Sequence, residues 1–566
     1  MTIATDHGGM GGGLVPGIYP PPRAMRPTLV GERWAVVAGH PRVSQVAAQI
    51  FCQGGNAVDA GVAAGIASNV VQVDMANFGG IAPVIIRPAG SNECWSVAGV
   101  GRWSRSASIE AMVERHHGAL PLDGAPAIIP GAPAGWLKSL AEFGTMSLSE
   151  VAAPAIALAR EGFLLDEKTA LSLALMGRKF SRWKNSNTIY RPNGVDLVYG
   201  DRLKQLELAD LLETLVAAEQ DHRGDRKQRI KAAHDCFYRG RIALRITEWV
   251  TEQGGFMTTE DLAEFDAEVE LSPSVDLGEW KFFSTPSWSQ GPVALAILGI
   301  LERGGGSLHE IVEAITLAFN DREDYLAEPA RMKVPIEELL SDQHLAELAS
   351  MIGNSALAGR SSSQTGGETR LSTTSIVTME ADGCCFASAP SDTLDGGPII
   401  DGLGIMCSPR GVQSRLSPHH ANSLAPWARP VVTPAALIGL TETNTWGLSC
   451  PGGDVIVQAM AQVVNNILRY DMDVQEAVEA PRLAAFNAPS AFHPHPSADR
   501  LVFAEGRIPA DDLDQLRLLG HNVEVWPNFE FDAGSVQTIL QRHNNNGEKY
   551  LLTGADPRRS AYALAE

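Results

Sequence analysis

Residues 373–389 predict a β-hairpin that begins at a threonine, directly after a stretch with few apolar anchors. Five of the seven residues from Thr373 to Met379 are β-branched, as is typical of a half-buried strand. Asp382-Gly383 then predicts a tight turn in which both central residues take positive φ, and the return strand is expected at about 384–389. Upstream, residues 353–372 are rich in Ser, Gly and Thr, which predicts a mobile, exposed linker.

A flexible linker that ends at a strand-leading threonine is the layout of a self-cleaving precursor. If the bond between Ser372 and Thr373 breaks, Thr373 carries both a hydroxyl and a free α-amine. An α-amine has an unperturbed pKa near ~8, so it can take the proton of the hydroxyl on the same residue. On this segment alone, a plain Thr-rich edge strand is the alternative interpretation.

A second segment suits the stabilisation of negative charge. The apolar spacing of residues 455–470 predicts a helix of about four turns with one buried face. Asp454 stands at its N-cap, where a side-chain oxygen is expected to accept first-turn N–H groups. Gly452 and Gly453 therefore present backbone N–H groups at the positive end of a helix, which suits a developing oxyanion. A simple connecting turn is the alternative.

With these segments the chain resembles the γ-glutamyltranspeptidases and their amidohydrolase relatives, from about Gly31 to the C-terminus. Asp454 after the two glycines is more similar to the amidohydrolase-like branch than to the glutathione-cleaving enzymes. The resemblance rests on motifs in family order at residues 38–41 (AGHP), 54–60 (GGNAVDA), 79–80 (GG), 130–135 (PGAPAG), 373–383 (TTSIVTMEADG), 451–454 (PGGD), 476–482 (EAVEAPR) and 554–558 (GADPR).

The resemblance implies an α+β fold, the four-layer αββα sandwich of the N-terminal-nucleophile hydrolases. It implies a large-subunit portion over residues 31–372 that ends in the flexible linker, and a small-subunit portion over 373–566. The Gly- and Pro-rich start of the chain predicts a flexible N-terminal arm over residues 1–30, either disordered or wrapped around the body. The two portions are expected to stay associated after self-cleavage. The chemistry of the family implies no cofactor.

Site residues follow from the resemblance position by position. Thr373 is the expected nucleophile, and Gly452 with Gly453 the expected oxyanion hole. Ser391 takes the place of a family threonine that supports the nucleophile's hydroxyl. Thr393 is the alternative to Ser391 for that role, and otherwise we assign it to substrate binding. Asp454 is also assigned to substrate binding. Arg102 matches the family arginine that binds a carboxylate.

The grip of Arg102 would use two parallel hydrogen bonds, which a guanidinium can form with a carboxylate. An ordinary surface arginine is the alternative for this residue.

Departures from the family pattern bear on the substrate. Ser375 stands where the family has a histidine, and the paired serines expected near residues 429–434 are missing. Arg410 replaces a neutral or acidic partner of the glutamyl α-amine, and a cation there would repel an ammonium group. If Arg102 and Arg410 both face the pocket, an anionic acyl group without a free α-amine, such as oxalyl or glutaryl, fits better than γ-glutamyl.

The predicted function is therefore a self-processed hydrolase or acyltransferase. It would cleave an amide of a γ-glutamyl-like or other acid-terminated acyl group through an acyl-enzyme. Two alternatives remain: hydrolysis of a carbon–carbon bond next to an oxalyl-type carbonyl, and a relative that binds a ligand without catalysis, which the missing histidine and serines favour.

Composition limits the partners. A net charge of −21 argues against nucleic acid or an anionic membrane surface. Seven cysteines without CxxC spacing, and the pairs His419-His420 and His493/His495 without further suitably spaced ligands, predict no metal site. The N-terminus lacks a basic region followed by an apolar one, and no apolar run of about 18 residues occurs. We therefore expect a cytoplasmic protein.

Overall fold

The structure, a computed structural model, describes residues 23–117, 120–121, 123–360 and 372–566. Most of the predicted arm and residues 361–371 of the predicted linker lie outside the described residues. Within them, no helix is long and apolar enough to cross a bilayer.

The strands of the described residues form two seven-stranded sheets, one three-stranded sheet and one two-stranded sheet. Their bounds are β1 Leu29–Gly31, β2 Trp34–Ala38, β3 Ala82–Arg87, β4 Trp95–Gly99, β5 Phe163–Leu164, β6 Arg202–Leu203, β7 Val269–Leu271, β8 Ser274–Leu277, β9 Trp280–Ser284, β10 Ile376–Glu380, β11 Cys385–Ser388, β12 Ala436–Leu440, β13 Thr445–Ser449, β14 Leu483–Ala485, β15 Leu501–Glu505, β16 Asn522–Trp526, β17 Gln537–His543, β18 Lys549–Ala555 and β19 Tyr562–Ala565.

The helices cover the outer faces of the two large sheets. Their bounds are α1 Pro41–Cys52, α2 Ala57–Val71, α3 Ile109–Arg115, α4 Ala132–Phe143, α5 Leu148–Glu161, α6 Glu167–Phe180, α7 Lys184–Tyr190, α8 Leu206–Asp221, α9 Arg226–Tyr238, α10 Arg241–Glu252, α11 Thr259–Glu264, α12 Gly291–Arg303, α13 Leu308–Tyr325, α14 Ile336–Leu339, α15 Asp342–Ser350, α16 Val455–Tyr470, α17 Val474–Glu479 and α18 Ala510–Leu518.

The two large sheets pack face to face. The first has the strand order β19-β2-β10-β11-β3-β4-β7 and the second β1-β18-β17-β13-β12-β9-β8. Alternate side chains of both sheets, among them Val37, Val377, Ile438 and Ile539, form one buried cluster between them. This cluster joins the two sheets into a single core.

Helices complete the outer layers of the sandwich. Helix α2 packs on β10 and β11 of the first sheet, and all fifteen of its residues are buried. Helices α12 and α16 belong to the apolar cluster on the far side of the second sheet. Helix, sheet, sheet and helix therefore follow one another, and the predicted αββα sandwich is confirmed.

Local predictions agree with the structure where a short segment decides the geometry. Helix α16 begins at Val455 and ends at Tyr470, and the hairpin of β10 and β11 is present. Two details differ. The strand starts at Ile376 and not at Thr373, and only Gly383 of the turn has a positive φ, because the Asp382 carboxylate accepts the Cys384 N–H and holds the turn in another way.

The described end of the predicted arm is attached to the body. The N–H of Met25 donates to the Glu479 carboxylate at 2.6 Å, and β1 pairs with β18 of the second sheet. From Met25 onward the chain is therefore bonded to the body, as an arm that wraps the body would be.

Candidate active site

Thr373 lies at one end of the first sheet, three residues before the first residue of β10. It forms an isolated β-bridge with Ser391, which follows β11, and it is 1% exposed. At the same end, the Ser449 hydroxyl donates to the Ser388 carbonyl at 2.8 Å and so joins β13 to β11. This contact brings the segment after β13, with Gly452 and Gly453, to the same edge as Thr373 and Ser391.

The hydroxyl of Ser391 is the centre of the polar contacts around Thr373. It lies 2.9 Å from Thr373 Oγ1 and 2.6 Å from the carbonyl oxygen of Ser372, and it accepts from Arg410 Nη2. A serine hydroxyl has one hydrogen and two lone pairs. Because a carbonyl can only accept, the Ser391 hydrogen goes to Ser372, so the Thr373 hydroxyl donates to Ser391.

The carbonyl of Ser372, which precedes the predicted cleavage point, accepts from three groups. Ser391 Oγ donates at 2.6 Å, the backbone N–H of Asp392 at 3.3 Å and Arg410 Nη2 at 3.3 Å. We call these three donors the Ser372 cradle. Donors gathered on one carbonyl oxygen stabilise the negative charge that develops there when a nucleophile attacks its carbon.

Backbone strain helps to aim one donor of the cradle. Asp392 has φ of 94°, a region that residues with a side chain rarely occupy. This conformation turns its N–H to Ser372 while its buried carboxylate binds Arg410 at 2.6 Å. The ion pair and the donor to Ser372 thus depend on the same residue.

Arg410 is fully buried, and each of its N–H directions has an acceptor. A guanidinium has five donors. Those of Arg410 go to Asp392 Oδ1 at 2.6 Å, Gln413 Oε1 at 3.2 Å, Thr433 Oγ1 at 3.1 Å, Ser372 O at 3.3 Å and Ser391 Oγ. Burial lowers the pKa of Arg410, and the Asp392 carboxylate opposes that shift. All five donors of Arg410 therefore have protein acceptors while Ser372 is in place, and its predicted role in substrate binding stays a prediction.

Gly452 and Gly453 adopt φ of 143° and 60°, which favour glycine. Their carbonyls accept the N–H groups of Val455 and Ile456 at the start of α16. In the described part of the chain neither glycine N–H donates a hydrogen bond. Phe492 lies between this loop and the cradle: it is 3.3 Å from the Cβ position of Gly453 and 5.5 Å from the guanidinium of Arg410.

Asp454 stands at the N-cap position of α16 but does not cap the helix. Its carboxylate accepts from Gln290 at 2.7 Å, Arg322 at 2.7 Å and the Ala491 N–H at 2.8 Å. The capping prediction is wrong because Asp454 has helical backbone angles, and its side chain is bound to other segments. Asp454 thereby fixes the glycine loop against α12 and α13.

Two further predicted residues contact other groups. Thr393 Oγ1 donates to the Asp395 carboxylate. Arg102 donates to Glu268 at 2.7 Å, Glu328 at 3.1 Å and the Trp427 carbonyl at 2.9 Å. It lines an open cleft of about 700 Å³ in which Thr373 is not a lining residue. Of the two candidates for supporting the Thr373 hydroxyl, Ser391 is the one in contact.

Sequence reasoning missed three polar residues near Thr373. Arg559 donates to the Thr373 carbonyl at 3.4 Å, and Asp392 belongs to the Ser372 cradle. Asp74 and Thr373 both line a cavity of about 20 Å³, and burial raises the pKa of Asp74 to about 7. Arg559 directly follows the GADPR motif, so that motif could have identified it as a candidate site residue. Asp74 and Asp392 carry no local pattern.

Comparison with known proteins places the chain in a family. A family model described as gamma-glutamyltranspeptidase matches residues 43–566. The glutathione hydrolase proenzyme of Bacillus subtilis is 25% identical over 94% of this chain and 92% of its own length. The oxamate amidohydrolase proenzyme of Klebsiella pneumoniae is 26% identical over 95% of this chain and 99% of its own length.

Solved structures agree with this relationship. The crystal structure of cephalosporin acylase from Bacillus halodurans is 26% identical, with a TM-score of 0.83 over 98% of this chain and 99% of that one. The chain therefore belongs to the gamma-glutamyltranspeptidase family, and it is an enzyme of the hydrolase and transferase class with the N-terminal-nucleophile hydrolase fold.

Proposed function

We propose that the protein is a proenzyme that cuts its own Ser372–Thr373 bond and then hydrolyses or transfers an acid-terminated acyl group from an amide. Relatives named as proenzymes support the first step, and relatives named as amidohydrolase or acylase support the second. One observation carries the proposal. Ser391 holds both the hydroxyl of Thr373, at 2.9 Å, and the carbonyl of Ser372, at 2.6 Å.

Self-cleavage would begin with attack of Thr373 Oγ on the carbonyl carbon of Ser372. Because the Thr373 hydrogen points to Ser391, the lone pairs of the attacking oxygen are free. Ser391 takes the Thr373 proton as its own hydrogen passes to the Ser372 oxygen, and that proton then moves to the α-nitrogen as the C–N bond breaks. Water then hydrolyses the resulting ester, which leaves a carboxylate on Ser372 and a free amine and hydroxyl on Thr373.

The Ser372 cradle would serve this first reaction. Its three donors face the oxygen on which negative charge develops during attack. Arg410 adds a full positive charge, which makes its hydrogen bond stronger than one between neutral groups.

Cleavage would then change what Arg410 can bind. Removal of Ser372 from the site leaves Nη2 without one of its acceptors, while the contacts to Asp392, Gln413 and Thr433 can remain. A buried cationic donor beside the new N-terminus suits a carboxylate or keto oxygen and repels an ammonium. An acid-terminated acyl group therefore fits the mature site better than γ-glutamyl.

Turnover would use the glycine loop. Thr373 Oγ attacks the substrate carbonyl, its own α-amine accepts the proton, and the two free N–H groups of Gly452 and Gly453 stabilise the oxyanion. The amine of the substrate leaves, and water or an acceptor amine releases the acyl group.

The test compares wild type with Thr373→Ala and with Thr374→Ala as a matched control, by intact mass and by hydrolysis of oxalyl-, glutaryl- and γ-glutamyl-anilides. Thr374 is equally buried, but its hydroxyl binds Gln72. We expect two fragments from wild type and the control, one uncut 60.4 kDa chain from Thr373→Ala, and faster cleavage of the acid-terminated anilides. Fragments from Thr373→Ala would contradict the proposed self-cleavage. Faster hydrolysis of the γ-glutamyl anilide would contradict the proposed substrate class.

A further inference from the structure

Three potential metal ligands meet at the N-terminal end of α13, outside the Thr373 site. They are His309 and Glu313 on that helix and His521, which precedes β16. His309 Nδ1 lies 2.8 Å from His521 Nε2, and His521 Nε2 lies 3.6 Å from Glu313 Oε1. All three candidate ligand atoms lie within 4.8 Å of one another.

Contacts within the described residues leave this cluster incompletely satisfied. The Glu313 side chain is 0% exposed, and its Oε2 accepts one hydrogen bond, from the Leu357 N–H at 3.1 Å. Within the described residues, Glu313 Oε1 accepts no hydrogen bond, and His521 Nδ1 has no hydrogen-bond partner. A buried carboxylate with one neutral donor is costly, and a bound cation removes that cost.

Hydrogen bonding presents His309 in the form that binds metals. Its Nε2 lies 2.9 Å from the Gly353 carbonyl, which can only accept, so Nε2 carries the hydrogen and the lone pair of Nδ1 faces His521 Nε2. Metal-binding histidines usually donate their second nitrogen to a carbonyl or carboxylate in this way. The positive charge of Arg500 lies near enough to act on both Glu313 and His521.

We propose that His309, Glu313 and His521 bind a zinc ion, with water as the fourth ligand. Zinc favours imidazole and carboxylate ligands in tetrahedral sites, with bonds of about 2.0–2.1 Å and therefore ligand atoms about 3.3 Å apart. The observed separations of 2.8 and 3.6 Å lie on either side of that value. These two separations need shifts of only a few tenths of an ångström, and the third, which is at most 4.8 Å, would have to approach the same value.

The role that fits this position is structural. The ion would fix α13 to the turn between α18 and β16, and also to Gly353 and Leu357, which are bonded to His309 and Glu313. His309 and Glu313 precede Ser372, whereas His521 follows it. If the chain is cut as proposed above, the ion would join the two fragments, although the site itself does not depend on that cut.

The test uses the full chain, stripped with chelator and titrated with Zn²⁺ and with Co²⁺. We expect one ion per chain by elemental analysis, a tetrahedral Co²⁺ absorption spectrum and a rise in melting temperature with zinc. Glu313→Gln should weaken binding at least about 100-fold, while His344→Gln, a histidine bound to Asp321, should bind as wild type does.

The uncut Thr373→Ala chain should bind zinc equally well, which separates this proposal from the proposed activity. Arg500→Gln should bind zinc more tightly, because the Arg500 charge opposes a second cation. No zinc retained by wild type, or equal affinity in Glu313→Gln, would overturn the proposal and leave a hydrogen-bonded cluster without metal.

Discussion

Arg410→Lys tests whether the Ser372 cradle assists self-cleavage. Lysine keeps the positive charge beside the buried Asp392, so the ion pair is retained. It cannot also supply the Nη2 donor to the Ser372 carbonyl, because its single ammonium group would have to replace contacts that a guanidinium spreads over five directions. The change therefore removes mainly one donor of the Ser372 cradle.

The size of the effect follows from the geometry. Loss of one oxyanion donor costs about 2.7–4 kcal/mol, or about 10²–10³ in rate. The Nη2–O distance of 3.3 Å is long for such a bond, and Ser391 and the Asp392 N–H remain in place. We therefore expect the lower end of the range, with self-cleavage about 10² slower.

The assay is a time course of intact mass on freshly made precursor, followed by turnover on fully cut material. Arg415→Lys is the control, since Arg415 is also buried and bound to a carboxylate, Glu323, at 2.7 Å. Its splitting rate should match wild type. If Arg410→Lys melts near wild type and splits at the wild-type rate, the cradle does not assist cleavage. Equal slowing of both variants would point to a general loss of structure.

Three further changes test other parts of the site. Ser391→Ala should slow splitting by about 10²–10⁴, as loss of a proton-transfer partner does, and intact mass over time measures it. Gly453→Ala should leave splitting intact but lower kcat of the cut enzyme, because φ of 60° and Phe492 at 3.3 Å strain the loop that carries the N–H groups. Asp74→Asn tests pH dependence. Burial raises the pKa of Asp74 from 3.8 to about 7, so the folded state holds this proton more tightly and wild type loses stability as pH rises through that window. Asp74→Asn should therefore gain in melting temperature over wild type more at pH 8.5 than at pH 4; an equal difference at both pH values would contradict the assignment.

Short-range patterns predicted the parts of the fold that neighbours in sequence decide. The bounds of α16 follow from apolar spacing, and the hairpin follows from its turn residues. The turn type was wrong because the Asp382 carboxylate accepts the Cys384 N–H, so that only Gly383 needs the left-handed region. Short-range sequence patterns therefore predict that a helix or turn forms and where it lies in the chain. The φ angles within a turn also depend on which side chains accept its backbone N–H groups.

The site residues show where sequence reasoning ends. Arg410 was predicted from the sequence to act on the substrate through its positive charge. Its partner Asp392 is eighteen residues away, and only the folded chain shows that the pair faces Ser372. Arg102 was expected to grip a carboxylate of the substrate, and it binds the chain's own Glu268 and Glu328. Charge complementarity between distant segments has no periodic signature, so it could not be predicted.

The strand order of the first sheet has a consequence for refolding. Strands β10, β11 and β19 come after Ser372. In the sheet, β2 lies between β19 and β10, and β11 pairs with β3, so strands from both sides of Ser372 are interleaved. Once the link at Ser372 is cut, these interleaved strands belong to two molecules, and their pairing becomes a bimolecular search without the effective concentration that one chain supplies. If the Ser372–Thr373 bond is cut as proposed, heat would inactivate the cut enzyme permanently, whereas the uncut Thr373→Ala chain could recover on cooling. The proposed cut would thus remove the covalent link that brings these strands together during folding.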